Sequence, residues 1–399
     1  MQINQLFDKE KKMNERLTTI GGAVPLPERK DMAESARRLR DAYARVPGAP
    51  LFKKEFGFYC LERWKEQGMP QDVPLAELFD YDSPGNHSLG QLGWCEAALV
   101  PAFEEKVLED RGELELVQDF AGRAVLCFKG RRSGFMPEYL DHPVKNRQTW
   151  EERVKWRLDP ATQSRYADLA TRMQAAREHA AKGLMITQNL VGGYMYLRSL
   201  IGPAELLYKF YDEPELIHDC MQAWLALADA VIARHQEHVT LDEIFLAEDI
   251  CFNSGPLISP DMMREFLFPY YQELIANVRR RQIDKSRHLY IQIDTDGNAL
   301  PVIPVYQHLG MDAMSPFEVA SGCDVVEVGR MYPDLAIFGG IDKRILAQDK
   351  RSIDREVERI LPSMRERGGY IPTSDHGVPE EVPYENYLHY RQRCVELGG

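Results

Sequence analysis

The stretch Leu289-Tyr-Ile-Gln-Ile-Asp-Thr-Asp-Gly-Asn298 joins a short apolar segment to a run of polar residues. Its first half is rich in β-branched and aromatic residues, which is typical of a strand in a sheet. The carboxylates of Asp294 and Asp296 follow where that strand is expected to end. Four other predicted strands also run into acidic residues or a histidine. The carboxyl ends of the strands of a (β/α)8 barrel converge on one face, where the chemistry takes place. The pattern therefore predicts a barrel with an acidic site.

Short apolar segments alternate with longer amphipathic ones from about residue 113 onward, as a parallel α/β fold requires. The predicted strands are residues 114–117, 124–128, 184–187, 244–247, 289–293, 313–315, 336–338 and 370–372. The predicted helices are residues 160–182, 212–238, 260–281, 300–309 and 352–366. This alternation predicts a single (β/α)8 TIM barrel over residues 51–399. Residues 1–50 are polar and helix-forming, and they predict a mobile or peripheral N-terminal helical extension.

The composition is that of a globular protein, with 44% hydrophobic and 28% charged residues. No run approaches 18 uninterrupted apolar residues, and the charged start of the chain is unlike a secretory signal. We therefore expect a cytoplasmic protein that does not associate with membranes. The formal net charge of −13 argues against nucleic acid or anionic lipid as partners. The oligomeric state stays open.

Two sets of residues are predicted to be buried. The seven cysteines are scattered and form no CxxC motif, which indicates buried free thiols in a reducing compartment. An aromatic set near the start of the predicted barrel is expected to belong to the core rather than to a pocket. Its members are Phe56, Phe58, Tyr59 and Trp64.

Asp294 and Asp296 are the first candidates for a metal site. Residues two apart on a strand share a face, so both carboxylates can meet one ligand. Alternatively, Asp296 only makes an Asx-turn with its own backbone. His376 follows the last predicted strand, and the neighbouring Asp375 can fix its tautomer. With Glu318 these residues form a mixed oxygen and nitrogen set that suits zinc or another divalent ion. We predict Asp294, Asp296, Glu318 and His376 as metal ligands.

Glu248 and Asp249 end another predicted strand and are, with His376, the predicted catalytic residues. One of the two carboxylates can act as a general acid or base whose pKa is adjusted by burial. Alternatively, Asp249 accepts hydrogen bonds from loop amides.

The predicted substrate-binding residues are Gly193, Tyr194, Asp342 and Lys343. A Gly192-Gly193 pair allows a ligand to approach the backbone closely, but it fits neither GxGxxG nor a P-loop, so no nucleotide site is indicated. Asp342 also has a simpler interpretation, because Asp before Lys-Arg is typical of a helix N-cap.

Three longer motifs resemble the uroporphyrinogen decarboxylase superfamily. The first is Gly255-Pro-Leu-Ile-Ser-Pro-Asp-Met-Met-Arg-Glu-Phe-Leu-Phe-Pro-Tyr270, and the second is Gly339-Gly-Ile-Asp-Lys-Arg344. The third is Gly369-Tyr-Ile-Pro-Thr-Ser-Asp-His-Gly-Val-Pro379, which continues into Pro383-Tyr-Glu-Asn-Tyr387. The resemblance covers about residues 50–395 and implies a (β/α)8 barrel, in agreement with the strand pattern.

The decarboxylases of this superfamily carry an Arg-Gln-Ala-Gly-Arg segment that neutralises carboxylates of their tetrapyrrole substrate. The corresponding region here is Pro50-Leu-Phe-Lys-Lys-Glu-Phe-Gly-Phe58, which has two lysines and no paired arginines. A polyanion held without bidentate arginines is held poorly. The difference counts against tetrapyrrole decarboxylation.

The other branch contains corrinoid-dependent methyltransferases, and Glu62-Arg-Trp-Lys-Glu-Gln-Gly-Met-Pro70 also resembles it. Its thiol-activating members have a His-x-Cys-Gly zinc motif and a later cysteine. Asp294 and Asp296 match the first two ligands, since Gly297 follows, and His376 falls near the last. Asp, Asp and His make a harder site that polarises oxygen better than thiolates do. The resemblance thus implies zinc, a corrinoid carried by a partner protein and an O-methyl substrate such as a methoxylated aromatic.

Two competing hypotheses remain. One is a uroporphyrinogen decarboxylase-like lyase that acts on a carboxylic substrate without metal. The other is a barrel that has lost its chemistry and serves as a binding subunit. Buried acids without a ligand are costly, so the number of acidic strand ends argues against the second hypothesis.

Overall fold

The computed structural model describes residues 24–130 and 137–399 as an α/β fold whose residues group into two compact units. The first unit consists of His87–Ala247 and Asp261–Leu289, with the described part of Met1–Glu28. The second unit consists of Arg29–Asn86, Glu248–Pro260 and Tyr290–Gly399. The predicted catalytic residues and metal ligands all belong to the second unit.

The strands are numbered along the chain. They are β1 Asn86–Leu92, β2 Lys106–Arg111, β3 Leu114–Gln118, β4 Ala124–Phe128, β5 Glu138–Asp141, β6 Met185–Val191, β7 Glu243–Ala247, β8 Cys251–Phe252, β9 Gly255–Pro256, β10 Tyr290–Asp294, β11 Ala313–Ser315, β12 Ala336–Phe338 and β13 Tyr370–Ile371. The α-helices are α1 Glu34–Tyr43, α2 Leu61–Glu66, α3 Leu75–Leu78, α4 Arg147–Thr149, α5 Leu169–Ala181, α6 Gly193–Ile201, α7 Pro203–Asp212, α8 Pro214–Gln236, α9 Pro260–Phe266, α10 Phe268–Arg281, α11 Ile303–Leu309, α12 Val325–Met331, α13 Lys343–Leu346, α14 Lys350–Arg367 and α15 Tyr384–Gly398.

The first unit contains β1, β6 and β7, in that order across the sheet. Strands β6 and β7 are parallel, with Thr187 opposite Glu243, and the Thr187 hydroxyl donates to the Glu243 carboxylate over 2.7 Å. These two strands confirm the predictions at 184–187 and 244–247. Strand β1 was not predicted, because Asn86-His-Ser-Leu-Gly-Gln-Leu92 has few apolar or β-branched residues.

Two predicted barrel strands, residues 114–117 and 124–128, form strands, but the prediction that they belong to the parallel sheet was wrong. They correspond to β3 and β4 of an antiparallel sheet with the order β2-β3-β4-β5. The Asp119 carboxylate in the connecting turn accepts from the backbone amides of Ala121 and Arg123 over 3.0 and 2.8 Å. Parallel strands need a crossover of about a dozen residues or more, so this short turn permits only a hairpin.

Helix α8 is, among the described residues, the one helix long and apolar enough to cross a membrane by length and composition. Its buried residues include Trp224, Ala228, Val231 and Ile232, which recur at helical spacing along one face. Slightly more than half of its most apolar window is buried inside the protein, at 56%. This burial is that of a helix packed into a protein core.

The second unit contains β10, β11, β12 and β13 in sequence order, each parallel to the next. Ala313 of β11 is opposite both Gln292 and Ala336, and Ile337 of β12 is opposite Tyr370. The four strands confirm the predictions at residues 289–293, 313–315, 336–338 and 370–372. Their carboxyl ends therefore share one edge of this sheet.

Helix α1 brings Tyr43 into the core of the second unit. The side chain is 3% exposed, and its hydroxyl donates to Gln292 Oε1 over 2.7 Å. Its ring lies 5.0 Å from the rings of both Tyr290 and Phe338. Residues 1–23 of the predicted extension lie outside the described residues, and the boundary at residue 50 stays a prediction.

The two predicted buried sets differ in outcome: six of the seven cysteines are buried, whereas in the aromatic set Trp64 is buried and Phe58 is half-buried. All seven cysteines are free, and all except Cys95 are buried. Trp64 is fully buried, and its ring centroid lies 5.5 Å from that of Phe58 and 4.9 Å from that of Tyr387. Phe56 and Tyr59 are exposed instead, at 37% and 59%.

Candidate functional site

Asp294 is the last residue of β10, and its carboxylate is held from the neighbouring strand. Ser315, the last residue of β11, donates its hydroxyl to Asp294 Oδ2 over 2.5 Å. The same hydroxyl oxygen accepts from Gln292 Nε2 over 2.9 Å, so its hydrogen is directed at Asp294. Burial raises the pKa of Asp294 to about 7, the Ser315 hydrogen bond opposes this rise, and the nearby charges of Asp296 and Asp249 add to it.

The segment that carries Glu248 and Asp249 is joined to the end of β10. The backbone amides of both residues donate to the Asp294 carbonyl, over 2.8 and 3.2 Å. The Thr295 hydroxyl oxygen accepts from the amides of Ile250 and Cys251, over 3.1 and 3.2 Å. Asp249 has a φ of 41°, a left-handed conformation of the kind that clusters at functional sites.

Asp296 and His376 form the closest acidic and imidazole pair of the predicted site, with Asp296 Oδ2 3.5 Å from His376 Nε2. The Asp296 interaction raises the pKa of His376, and burial opposes the rise. Gly297 follows Asp296 and packs closely against the backbone of Phe252, which helps to fix the position of Asp296. Gly297 has a φ of 75°, and a Cβ there would lie 2.7 Å from the Phe252 backbone.

Two exposed aromatic rings flank the imidazole of His376. The ring of Phe56 is 5.3 Å from the imidazole between centroids, and that of Tyr59 is 5.9 Å away. The prediction that both belong to the core was therefore wrong. Residues 57–59 run beside the segment after β13, and this pairing places the two side chains at the end of the strand instead of beneath the sheet.

Glu318 and Lys343 form a second polar group with Asp375. Glu318 accepts from the Gly297 amide over 2.9 Å and lies 3.4 Å from Lys343 Nζ. The Asp375 carboxylate lies 3.5 Å from Lys343 Nζ and also accepts from the amides of Lys343 and Val319, over 3.1 and 3.0 Å. Burial raises the pKa of Asp375, and Lys343 opposes that rise. Asp375 thus ties the loop after β11 to the loop after β12. In the described part of the chain its carboxylate bonds to these loops and not to the His376 imidazole that it was expected to orient.

Asp342 is the N-cap of α13, as its simpler interpretation predicted. Its carboxylate accepts from the Arg344 amide over 2.9 Å and pairs with the exposed Arg344 guanidinium at 2.8 Å. Both interactions keep the pKa of Asp342 below its usual range although burial opposes them. A substrate role for Asp342 stays a prediction.

We expect Asp342→Ala to lower the free energy of unfolding by about 1 kcal/mol, because a helix amide loses its side-chain acceptor. Asp342→Asn retains an acceptor for the Arg344 amide, so its free energy of unfolding should fall by only a few tenths of a kcal/mol. Urea denaturation measures both variants. If Asp342→Asn is as stable as the wild type but binds substrate more weakly, the carboxylate has a binding role beyond the cap.

Gly193 and Tyr194, in the first unit, start helix α6. The Gly193 amide donates to the Tyr271 hydroxyl over 2.5 Å, and a Cβ on Gly193 would lie 2.7 Å from Met221 Cε. Tyr194 is buried at 1% exposure. The close approach that the glycine allows is thus made by neighbouring helices, and contact of either residue with a substrate stays a prediction.

The fit of the predicted ligands to a divalent ion differs among the four. Ligands about 2.0–2.2 Å from an ion stand roughly 3.4 Å apart in a tetrahedral site, which matches the Asp296–His376 distance. Asp294 lies near enough for its pKa to respond to both. Among the described residues, no three His, Cys, Asp or Glu side chains stand together as a complete ligand set. A metal site built from all four predicted ligands would therefore require Asp294 to move toward the pair and Glu318 to move away from Lys343.

Three residues that contact the candidate site were not predicted from the sequence. Ser315 holds Asp294, Glu55 binds the backbone before His376, and Gln292 orients Ser315. Ser315 and Gln292 are near the ends of predicted strands, which is a signal that could have found them. Glu55 lies far from the site in sequence and carries no such signal.

Comparisons with known proteins agree with this architecture. The family model "Uroporphyrinogen decarboxylase (URO-D)" matches residues 136–396. The uroporphyrinogen decarboxylase of Geobacter metallireducens is 26% identical over 187 residues, which are 45% of this chain and 51% of that protein. That of Coxiella burnetii is 25% identical over 186 residues, 44% of this chain and 46% of that protein. The chain thus spans about half the length of the curated relatives it matches.

Among solved structures, a methyltransferase from Methanosarcina mazei shares the fold, with a TM-score of 0.55 and 17% identity over 91% of this chain and 98% of that one. At this identity the likeness concerns the fold alone. The family model, in contrast, spans well over half of the sequence. The chain belongs to the uroporphyrinogen decarboxylase family.

Proposed function

We propose that this protein is a methyltransferase that moves a methyl group from the oxygen of a small methoxylated compound to a corrinoid carried by a partner protein. The observation that carries the proposal is the Asp296–His376 pair, 3.5 Å apart beside Asp294. These are hard oxygen and nitrogen donors, at positions where thiol-activating relatives are expected to have cysteine. The fold shared with the Methanosarcina mazei methyltransferase also supports methyl transfer as the activity.

Zinc or another divalent ion, when bound, would supply Lewis acidity at the ether oxygen. We propose that Asp296 and His376 hold it, with Asp294 as a third ligand and Glu318 as a further one once it leaves Lys343. In the reaction the C–O bond would break with its electron pair left on oxygen, and the reduced corrinoid of the partner protein would supply the electron pair for the new bond to the methyl carbon. Glu248 or Asp249 supplies the proton that this oxygen takes up.

Four further residues and the rest of the barrel surround this site in the proposed enzyme. Gly193, Tyr194, Asp342 and Lys343 are proposed to contact the substrate. We also propose a closed (β/α)8 barrel over residues 51–399, with residues 1–50 as an extension, in a cytoplasmic enzyme. The likeness to the Methanosarcina mazei structure, which covers nearly all of both chains, supports the barrel.

The second candidate is a carboxy-lyase that works without metal. The curated relatives favour it, since those compared above are named uroporphyrinogen decarboxylase. The two activities differ in product, because a lyase releases CO2 and a methyltransferase leaves a methylated corrinoid.

The test combines metal analysis with an assay on the full chain. We expect about one zinc per chain, and methylcobalamin absorbance when reduced corrinoid protein and methoxyarenes are added. Asp296→Ala should lose both zinc and activity. Glu327→Gln is the control, because this exposed carboxylate lies on α12 and, within residues 24–130 and 137–399, pairs with Arg330 alone. An enzyme that is active without metal, or that releases CO2 from a carboxylic substrate, would contradict the proposal.

A further inference from the structure

The segment Glu55-Phe-Gly-Phe-Tyr59, called the brace below, runs beside the segment Ser374-Asp-His-Gly-Val378. The Tyr59 amide donates to the Val378 carbonyl over 2.9 Å, and the Val378 amide donates to the Gly57 carbonyl over 2.8 Å. These two bonds form a parallel bridge on the C-terminal side of His376. The backbone after the imidazole is therefore fixed by the brace.

Glu55 fixes the backbone on the other side of His376. Its Oε1 accepts from the Ser374 amide over 2.8 Å and from the Ser374 hydroxyl over 3.0 Å. The Ser374 hydroxyl also lies within hydrogen-bonding distance of the His376 carbonyl. Glu55 Oε2 accepts from the Tyr387 hydroxyl over 2.7 Å. A buried carboxylate is costly unless its hydrogen bonds are satisfied, and here both oxygens are engaged.

The side chains of the brace complete the enclosure of the imidazole. Phe56 and Tyr59 flank it at 5.3 and 5.9 Å between ring centroids. The glycine at position 377 makes this possible, because a Cβ there would lie 2.5 Å from Tyr59 Cε2. Backbone bonds, a carboxylate and two rings of the brace thus converge on one residue.

We propose that the brace is a positioning element for His376, and that Glu55 is its anchor. Hydrogen bonds to Ser374 and Val378 fix the backbone on both sides of His376, while Phe56 and Tyr59 restrict the imidazole to an orientation with Nε2 toward Asp296. The activity readout of this proposal rests on the proposed methyl transfer. The structural readout does not, because the orientation of His376 can be observed in the metal-free protein.

The first test compares Glu55→Ala with Glu55→Gln. Glutamine still accepts from Ser374 through Oε1, and its amide can donate to the Tyr387 hydroxyl oxygen, so it should restore what alanine loses. In histidine-labelled protein, the ring currents of Phe56 and Tyr59 should shift the His376 resonances, which His376→Ala identifies. We expect Glu55→Ala to move these resonances toward their unfolded-state positions. Its kcat should fall about 10- to 100-fold, as when a supporting residue of a metal ligand is lost, with little change in KM.

A second pair of variants covers the case in which Glu55→Ala does not fold. Gly377→Ala adds a methyl group against the exposed ring of Tyr59, which can swing outward, so we expect the same resonance shift and loss of kcat. Gly398→Ala is its matched control, because Gly398 lies at the end of α15 outside the brace and a Cβ there makes only ordinary contacts with Leu51, at 3.6 Å or more. His376 resonances and kcat unchanged in both Glu55→Ala and Gly377→Ala would overturn the proposal. Resonances that move as expected in a protein without methyl transfer would support the brace and refute only the proposed function.

Discussion

His376→Ala should lower kcat/KM for methyl transfer by at least about 100-fold and reduce the zinc content well below one per chain. Loss of a residue that merely supports a metal ligand typically costs 10- to 100-fold, and His376 is proposed as a ligand itself. The side chain is the one imidazole paired with a strand-end carboxylate of the site among the described residues, at 3.5 Å from Asp296. Steady-state kinetics and metal analysis on the same preparation measure both effects.

The control for this variant is His308→Ala. His308 lies on α11, and its side chain is exposed, so its loss should leave zinc content and kcat/KM unchanged. Thermal unfolding separates a lost ligand from a lost fold. The two rings beside His376 are already partly exposed, so we expect His376→Ala to be within about 1 kcal/mol of the wild type in metal-free form. Full activity and zinc content in His376→Ala would remove this residue from the metal site.

The sequence predicts the parallel part of the fold well, because its strands carry a strong local signal. The strand of Ala313–Ser315 is only three residues long, yet it was found from its apolar residues and its position after a helix. The two strands assigned to the wrong sheet were misassigned for one reason. Strands β3 and β4 have the same apolar pattern as a buried parallel strand, and only the turn around Asp119 reveals that they pair as a hairpin.

The candidate site was predictable only where it coincides with strand ends. Asp294, Asp296 and His376 lie at or just after strand ends, and the charge of Asp296 raises the pKa of both Asp294 and His376. The partners of these residues were not predictable, since they depend on side-chain direction and on contacts distant in sequence. Glu318 turns toward Lys343, and Glu55 reaches Ser374 across more than 300 residues of chain. Periodicity and turn rules carry no information on such pairs.

Asp294→Asn should change how stability depends on pH in the metal-free protein. Burial raises the pKa of Asp294 to about 7, above its value in the unfolded chain near 4. Between these two values the folded protein binds the proton more tightly, so its stability falls as pH rises from about 4 to 7 and then levels off. Asparagine has no proton to lose and can still accept from Ser315. The variant should therefore gain stability relative to the wild type across this window, on the order of 2–4 kcal/mol.

Urea unfolding at several pH values measures this difference, with Asp349→Asn as a control of opposite sign. Asp349 caps α14, and its pKa is lowered by the Ser352 amide, so its charge stabilises the folded protein above the unfolded pKa and ceases to do so as pH falls. If the free energy of unfolding depends on pH in the same way in Asp294→Asn and wild type, burial does not raise the pKa of Asp294. Zinc should reverse the order of stability, because it binds the folded wild type and stabilises it by mass action, whereas asparagine is a poor ligand. If both results are obtained, the Asp294 carboxylate lowers the stability of the metal-free protein and raises that of the zinc-bound protein, as expected of a metal ligand.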